Sequence, residues 1–176
     1  MGTDKADLPV GDSRMIDRVV DALVLSAVCD EVIVVGGPDR SIESSRHVED
    51  MYPGEGPLGG LLTAFTATSA RRLIVLACDL PWVVESDVHR LDQFDTSCVS
   101  ADVVAPIIGG RPQWLAAVWH RTAYGRVRAA FDDGVRSIRK AAKELRVVGA
   151  PLEISKGFGD VDTPAEYQRD VLNRSD

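Results

Sequence analysis

"RRLIVLACDLPW", residues 71–82, decides the fold. Two arginines precede an unbroken apolar run, Leu73–Cys78, and Asp79 and a proline end it abruptly. A continuous apolar run of strand length predicts a strand buried on both faces, as in a parallel sheet. Upstream, "EVIVVGG" (31–37) has the same character and ends in glycines. Between the two, "SRHVED" (45–50) suggests a short strand. It is followed by the turn-rich "YPGEGPLGG" and a helix over Leu58–Thr68. Further upstream, "MIDRVVDALVLSAV" (15–28) places Met15, Ile16, Val19, Val20, Leu23, Ala27 and Val28 at helical spacing.

Downstream, "ESDVHRLDQF" (85–94) predicts a short helix. "ADVVAPIIGG" and "QWLAAVWH" read as two strands joined by the turn signal "GGRP", an antiparallel pair forming a small side element. Helical segments follow around Ala123–Phe131 and Ser137–Leu145, then a short strand near Pro151–Ser155 and a last helix from Thr163. Trp114 and Trp119 are an odd number of positions apart, so on one strand they would face opposite sides. Strands alternating with helices predict an α/β class with a mostly parallel sheet.

The chain has 176 residues, 45% of them apolar and 27% charged, which suits one compact domain with a sizeable core. No run approaches the roughly 18–20 apolar residues of a membrane span. Without a signal segment at the N-terminus, the reading predicts a cytoplasmic protein. The net charge of −7, without a basic stripe, argues against a nucleic-acid surface. Cys29, Cys78 and Cys98 fit neither a disulfide framework nor a zinc pattern, and the first two lie in apolar runs that predict core positions.

Ligands of open α/β sheets bind beyond the carboxyl ends of the strands, and several polar segments fall there. Asp79 at a strand end is a candidate ligand for a divalent cation; the other reading is a cap for the helix that follows. Gly54, Gly56, Gly59 and Gly60 around Pro57 and Leu58 bring backbone close to a ligand at a helix start, or simply make a turn. Asp160 and Asp162 would face the same way in an extended segment. Thr163, Pro164 and Glu166 read as a capping box that leaves both aspartates free. Lys5 with Asp4 reads as a solvated surface pair, and the opening "GTDK" is a further candidate segment.

Taken in order, "MGTDKADL", "VED" followed by "GEGPLGG", "ACDLPW", "GRPQWLAAV" and "GDVDTPAEY" resemble the molybdenum cofactor guanylyltransferases. The resemblance implies a Rossmann-like, three-layer α/β/α fold of the nucleotide-diphospho-sugar-transferase type. It implies transfer of GMP from GTP to molybdopterin, with Mg²⁺ as cofactor and pyrophosphate as product. By position, Lys5 matches the lysine that neutralises the nucleotide phosphates and Asp50 the acidic residue associated with guanine. Gly56, Pro57 and Leu58 match the loop lining the base pocket, and Asp79 the magnesium-binding aspartate. Arg111, Asp160 and Asp162 fall on the acceptor side, Asp162 as a second metal candidate. The family has asparagines at 160 and 162, and aspartates there are closer to the cytidylyltransferase relatives. Molybdoenzyme apoproteins or chaperones are the implied protein partners. In the family a first strand and an "LAGGxSxR" loop precede the lysine. The expectation is therefore one nucleotidyltransferase domain over 1–176 that lacks both. A cytidylyltransferase for the same cofactor, a guanylyltransferase for another phosphorylated acceptor, and a catalytically inactive nucleotide- or cofactor-binding homologue are the alternatives.

Overall fold

The computed structural model describes residues 4–151 and 156–159. A single 3₁₀ turn, Lys5–Asp7, opens the described chain. A small antiparallel hairpin follows, β1 (Pro9–Val10) and β2 (Ser13–Arg14). The helix α1 spans Met15–Leu25. It starts where Asp17 accepts the Arg14 backbone N–H at 3.1 Å, satisfying one of the groups a helix start leaves open. It ends short of the predicted Val28 because Ala27 turns left-handed, φ 54°. β3 (Ile33–Val35) and β4 (Arg46–Val48) pair in parallel. α2 (Pro57–Ala67) follows, with Pro57 in its first turn where its missing N–H costs nothing.

The main sheet is built from β5 (Arg72–Leu76), β6 (Val103–Ile108), β7 (Arg111–Pro112), β8 (Ala116–His120) and β9 (Val147–Ala150). β8 lies between β5 and β6 and is antiparallel to both, and β9 pairs with β6 in parallel. So β5, β6 and β9 all run one way and β8 runs against them. The predicted α/β class holds, as a mixed sheet. The hairpin β6–β7 turns through Gly109 and Gly110, at φ 55° and 75°. Two successive positive φ values make the turn that glycine pairs favour in hairpins.

Helix α3 (Glu85–Ser97) runs past the predicted residue 94, and α4 spans Tyr124–Asp132. α5 (Ile138–Ala141) continues as a 3₁₀ turn to Glu144. One face of the sheet packs Leu73, Val75 and Trp119 against α2, α4 and α5. The other packs Ile74, Leu76 and Val118 against α1 and α3. Alternate β5 residues thus enter opposite layers, as the pleat requires.

β9 lies at Val147–Ala150, where Val147 and Val148 pair with Val103 and Val104. Apart from Pro151, the expected strand near Pro151–Ser155 and the expected helix from Thr163 lie outside the described residues. Two expectations need correction. Trp114 and Trp119 do not face opposite sides. β8 begins only at Ala116, so strand parity does not reach Trp114. Both rings join one cluster, 6.2 Å apart, with Trp119 Nε1 donating to the Trp114 carbonyl. β3 and β5 are half-buried rather than fully buried, and so are Cys29 and Cys78.

The half-burial of β3 has a visible cause. Among the described residues no ladder joins β3–β4 to the main sheet. The bonds Arg46 N–H to Val32 O and Gly36 N–H to Val48 O turn Val32, Val34 and Gly36 toward β4. Ile33 and Val35 therefore direct their backbone groups to the opposite edge. On β5, Ala77 N–H to Leu115 O and Arg121 N–H to Arg71 O set the same parity. Arg72, Ile74 and Leu76 present their backbone groups to the edge away from β8. Helices bridge the two pieces: α1 meets Val34 on one and Ile74 on the other, and α2 packs on both.

Candidate active site

Lys5 and Asp79 are 74 residues apart, yet Lys5 Nζ lies 3.4 Å from Asp79 Oδ2. Two different devices bring them together. Asp79 sits in the turn after β5, which α1 braces through Arg18, whose Nη1 donates to the Pro81 carbonyl at 3.4 Å. Lys5 is carried by the 3₁₀ turn, capped by Asp4, which accepts the Ala6 N–H at 3.1 Å. Ala6 anchors the turn in a cluster with Ile16, Val20 and Val32. Both side chains keep solvent access, 31% for Lys5 and 20% for Asp79. A ligand can therefore reach them.

Asp79 does not cap α3, the other reading of this residue. That cap is Val84, whose N–H donates to Asp87 at 3.1 Å, so the Asp79 carboxylate is not spent on the helix. Beside it, burial pushes the Cys78 thiol up to about 11, and the Asp79 charge adds to the effect. A thiol in that state is protonated near neutral pH and offers no nucleophile.

Asp50 follows β4, close enough to the end of β3 that a Cβ on Gly36 would lie 3.5 Å from its own. Asp50 Oδ1 accepts the Tyr52 N–H at 3.0 Å and the Thr63 hydroxyl at 2.8 Å. Thr63 is fully buried on α2 and in turn accepts the Met51 N–H at 3.1 Å. No described residue donates to Asp50 Oδ2, so two lone pairs remain for a ligand. Gly56, at φ 74°, leads into Pro57 and Leu58 at the start of α2. The turn there is forced by close approach, because a Cβ on Gly59 would meet Tyr52 Cβ at 2.9 Å and its carbonyl at 3.2 Å.

Arg111 is exposed on the β6–β7 hairpin, at the same end of the sheet as the turn bearing Asp79. No described contact joins it to Lys5 or Asp79. Asp160 and Asp162 lie outside the described residues. Among the described residues no group of three or more His, Cys, Asp or Glu could hold a metal ion. Sequence reasoning missed Thr63 and Arg40. The Arg40 guanidinium binds Asp7 through Nε at 2.7 Å and Nη2 at 3.0 Å, and its Nη2 also reaches Asp4. Only tertiary proximity reveals either residue.

The model of the MobA-like NTP transferase domain matches residues 1–147. The chain belongs to this family. A relative from Pelotomaculum thermopropionicum is 36% identical over 94% of this chain and 83% of its own. One from Bacillus mycoides is 26% identical over 98% and 91%. Both carry the name "Probable molybdenum cofactor guanylyltransferase". Among solved structures, molybdopterin-guanine dinucleotide biosynthesis protein A from Archaeoglobus fulgidus superposes with a TM-score of 0.76. It is 19% identical and covers 99% of this chain and 92% of that one. The 2-C-methyl-D-erythritol 4-phosphate cytidylyltransferase of Thermus thermophilus superposes with a TM-score of 0.73 at 15% identity, over 97% and 94%. These likenesses fix the fold as that of the nucleotidyltransferases. The MobA-like family is one of nucleotidyl-transferring enzymes. No described helix is long and apolar enough to cross a membrane.

Proposed function

We propose that this MobA-like chain transfers GMP from GTP to molybdopterin, forming the guanine dinucleotide cofactor and pyrophosphate. The observation that carries the reading is the convergence of Lys5 and Asp79 at the carboxyl end of β5. The names of the relatives supply the acceptor.

A phosphate oxygen of molybdopterin would attack the α-phosphorus of GTP. The bond from that phosphorus to the β-bridging oxygen breaks, and pyrophosphate leaves with the electron pair. The nucleophile is already anionic, so no general base is required. The barrier lies in bringing anions together and in the charge gathering on the leaving group. Lys5 would bind the triphosphate and offset part of that charge. Asp79 would hold Mg²⁺, a cation satisfied by one or two carboxylates when phosphate oxygens complete its shell. That ion would supply Lewis-acid stabilisation of the phosphate oxygens. The residues present fit this arrangement: Asp79 is accessible, ends a strand and is not consumed by a helix cap.

Asp50 would accept N–H groups of guanine N1 and N2 through the oxygen that Tyr52 and Thr63 leave open. Cytosine lacks that pair of donors, so the site would be left unpaired and CTP rejected. Gly56, Pro57 and Leu58 would line the base. Arg111, Asp160 and Asp162 are assigned to the acceptor side, Asp162 also as a second metal candidate. A cytoplasmic location and delivery of the product to molybdoenzymes or their chaperones belong to the same reading.

The test is pyrophosphate release from GTP and from CTP, with molybdopterin and Mg²⁺. Asp79→Ala should lower turnover by about 10²-fold or more, the scale of losing one preorganised electrostatic group. Equal turnover in that variant removes Asp79 from the reaction. Preference for CTP overturns the assignment of Asp50.

A further inference from the structure

We propose that Arg40 is a positioning residue for Lys5, clasping both ends of the turn that carries the lysine. The inference rests on the nucleotidyltransferase reading above and names a group that acts through Lys5 rather than on the nucleotide. Asp4 and Asp7 bracket Lys5, and one guanidinium holds both. Its grip on Asp7 is two-pronged, through Nε and Nη2, which fixes orientation as well as distance. Nη1 donates to the Pro38 carbonyl at 3.2 Å, so the loop after β3 is tied into the same knot.

Burial separates this clasp from an ordinary surface pair. It is the Arg40 side chain that is buried, 6% exposed, while its partners Asp4 and Asp7 are 48% and 38% exposed. Arg46 with Glu31 is 46% and 45% exposed, a pair of the kind that contributes little. Gly37 makes room for the folded-back side chain: a Cβ there would lie 2.8 Å from Arg40 Nη1. The interaction is felt on both sides. Hydrogen bonding to Asp7 raises the Arg40 pKa, and hydrogen bonding from Arg40 lowers that of Asp7.

The turn is short: Ala6 is its one buried side chain, and Leu8 just after it packs beside Val10 and Met15. The clasp adds a fixed polar grip to that anchor and so helps set where the lysine ammonium stands beside Asp79. Positional freedom at that ammonium dilutes its effect on a bound triphosphate.

The experiment measures GTP binding by calorimetry and turnover by pyrophosphate release. It uses the full chain carrying Arg40→Gln, Arg40→Lys, Asp7→Asn and Lys5→Ala, plus Arg40→Gln with Lys5→Ala. Arg40→Gln should weaken GTP binding about tenfold, and in the Lys5→Ala background it should add less than about twofold, the signature of coupled residues. Arg40→Lys should recover only part, because an ammonium is not a fork. Asp7→Asn separates positioning from charge. It removes a negative group near the phosphates, so electrostatics alone predicts tighter binding, whereas loss of the clasp predicts weaker binding. If Arg40→Gln does not melt cooperatively, Arg40→Lys and Asp7→Asn decide. Unchanged binding in the Arg40 variants, an equal loss with and without Lys5, or tighter binding in Asp7→Asn overturns the inference. No effect of Lys5→Ala would instead sink the functional reading itself.

Discussion

At the scale of single residues, the site depends on groups that each have more than one task. Thr63 is the clearest. Its one hydroxyl proton goes to Asp50 or to the Gly59 carbonyl, while its oxygen receives the Met51 N–H. Thr63→Val keeps the shape and deletes all of this, at a cost of about 0.5–1.5 kcal/mol for each part-buried hydrogen bond lost. The expected outcome is a raised KM for GTP. ITP, which lacks the 2-amino group, should be affected less, so the measured preference for GTP over ITP narrows. Thr63→Ser should restore it. Asp79 was legible in the sequence because a carboxylate directly after an apolar strand demands an explanation. Lys5 was legible only through its resemblance. Thr63 with Asp50, 13 positions apart, and Arg40 with Asp7, 33 apart, follow no periodicity. Only the folded chain brings them together.

At the scale of elements, two close approaches set the frame. The loop that carries Asp50 rests on the first turn of α2 at Gly59. Gly59→Ala forces that loop or the helix to move, an overpacking effect of about 1–3 kcal/mol. Thermal unfolding should show the loss, and GTP affinity should fall with it. At the other end of the sheet, Asp102 is fully buried where β6, β8 and β9 meet. Burial alone would raise its pKa. Hydrogen bonds from the Arg146 side chain and backbone and from Thr122 outweigh this and hold it well below the usual carboxylate range. A depressed folded pKa gives stability that is complete above the unfolded value, about 3.9, and is lost as pH falls below it. Urea unfolding followed between pH 7 and pH 2 should therefore show Asp102→Asn less stable than wild type at neutral pH, with the gap closing in acid. The elements themselves were readable where apolar runs were long and sharply ended, as in β5. They were misread where parity was carried across a turn, as at Trp114.

At the scale of the whole molecule, the described strands form a five-stranded piece and a separate parallel pair, β3–β4, bridged by helices with no described ladder between them. Backbone protection should follow this division. Hydrogen exchange resolved by residue should show Leu73 and Val75 slower than Ile74 and Leu76, because only the first two donate to β8. Val34 should likewise outlast Ile33 and Val35. A smooth, high protection along β5 and β3 would contradict the described pairing. Because Asp50 follows β4 and Arg40 follows β3, the smaller piece bears both the candidate base contact and the clasp on Lys5. On the proposed reading, nucleotide affinity should therefore depend on how the two pieces sit together.

Among the described residues, the edge of β5 away from β8 has no ladder partner. Leu76 and Ile74 offer backbone donors and acceptors there, on a short apolar strand of the kind to which another chain can add itself. Light scattering that rises with concentration, and falls when an extended ligand occupies that border, is the expected outcome.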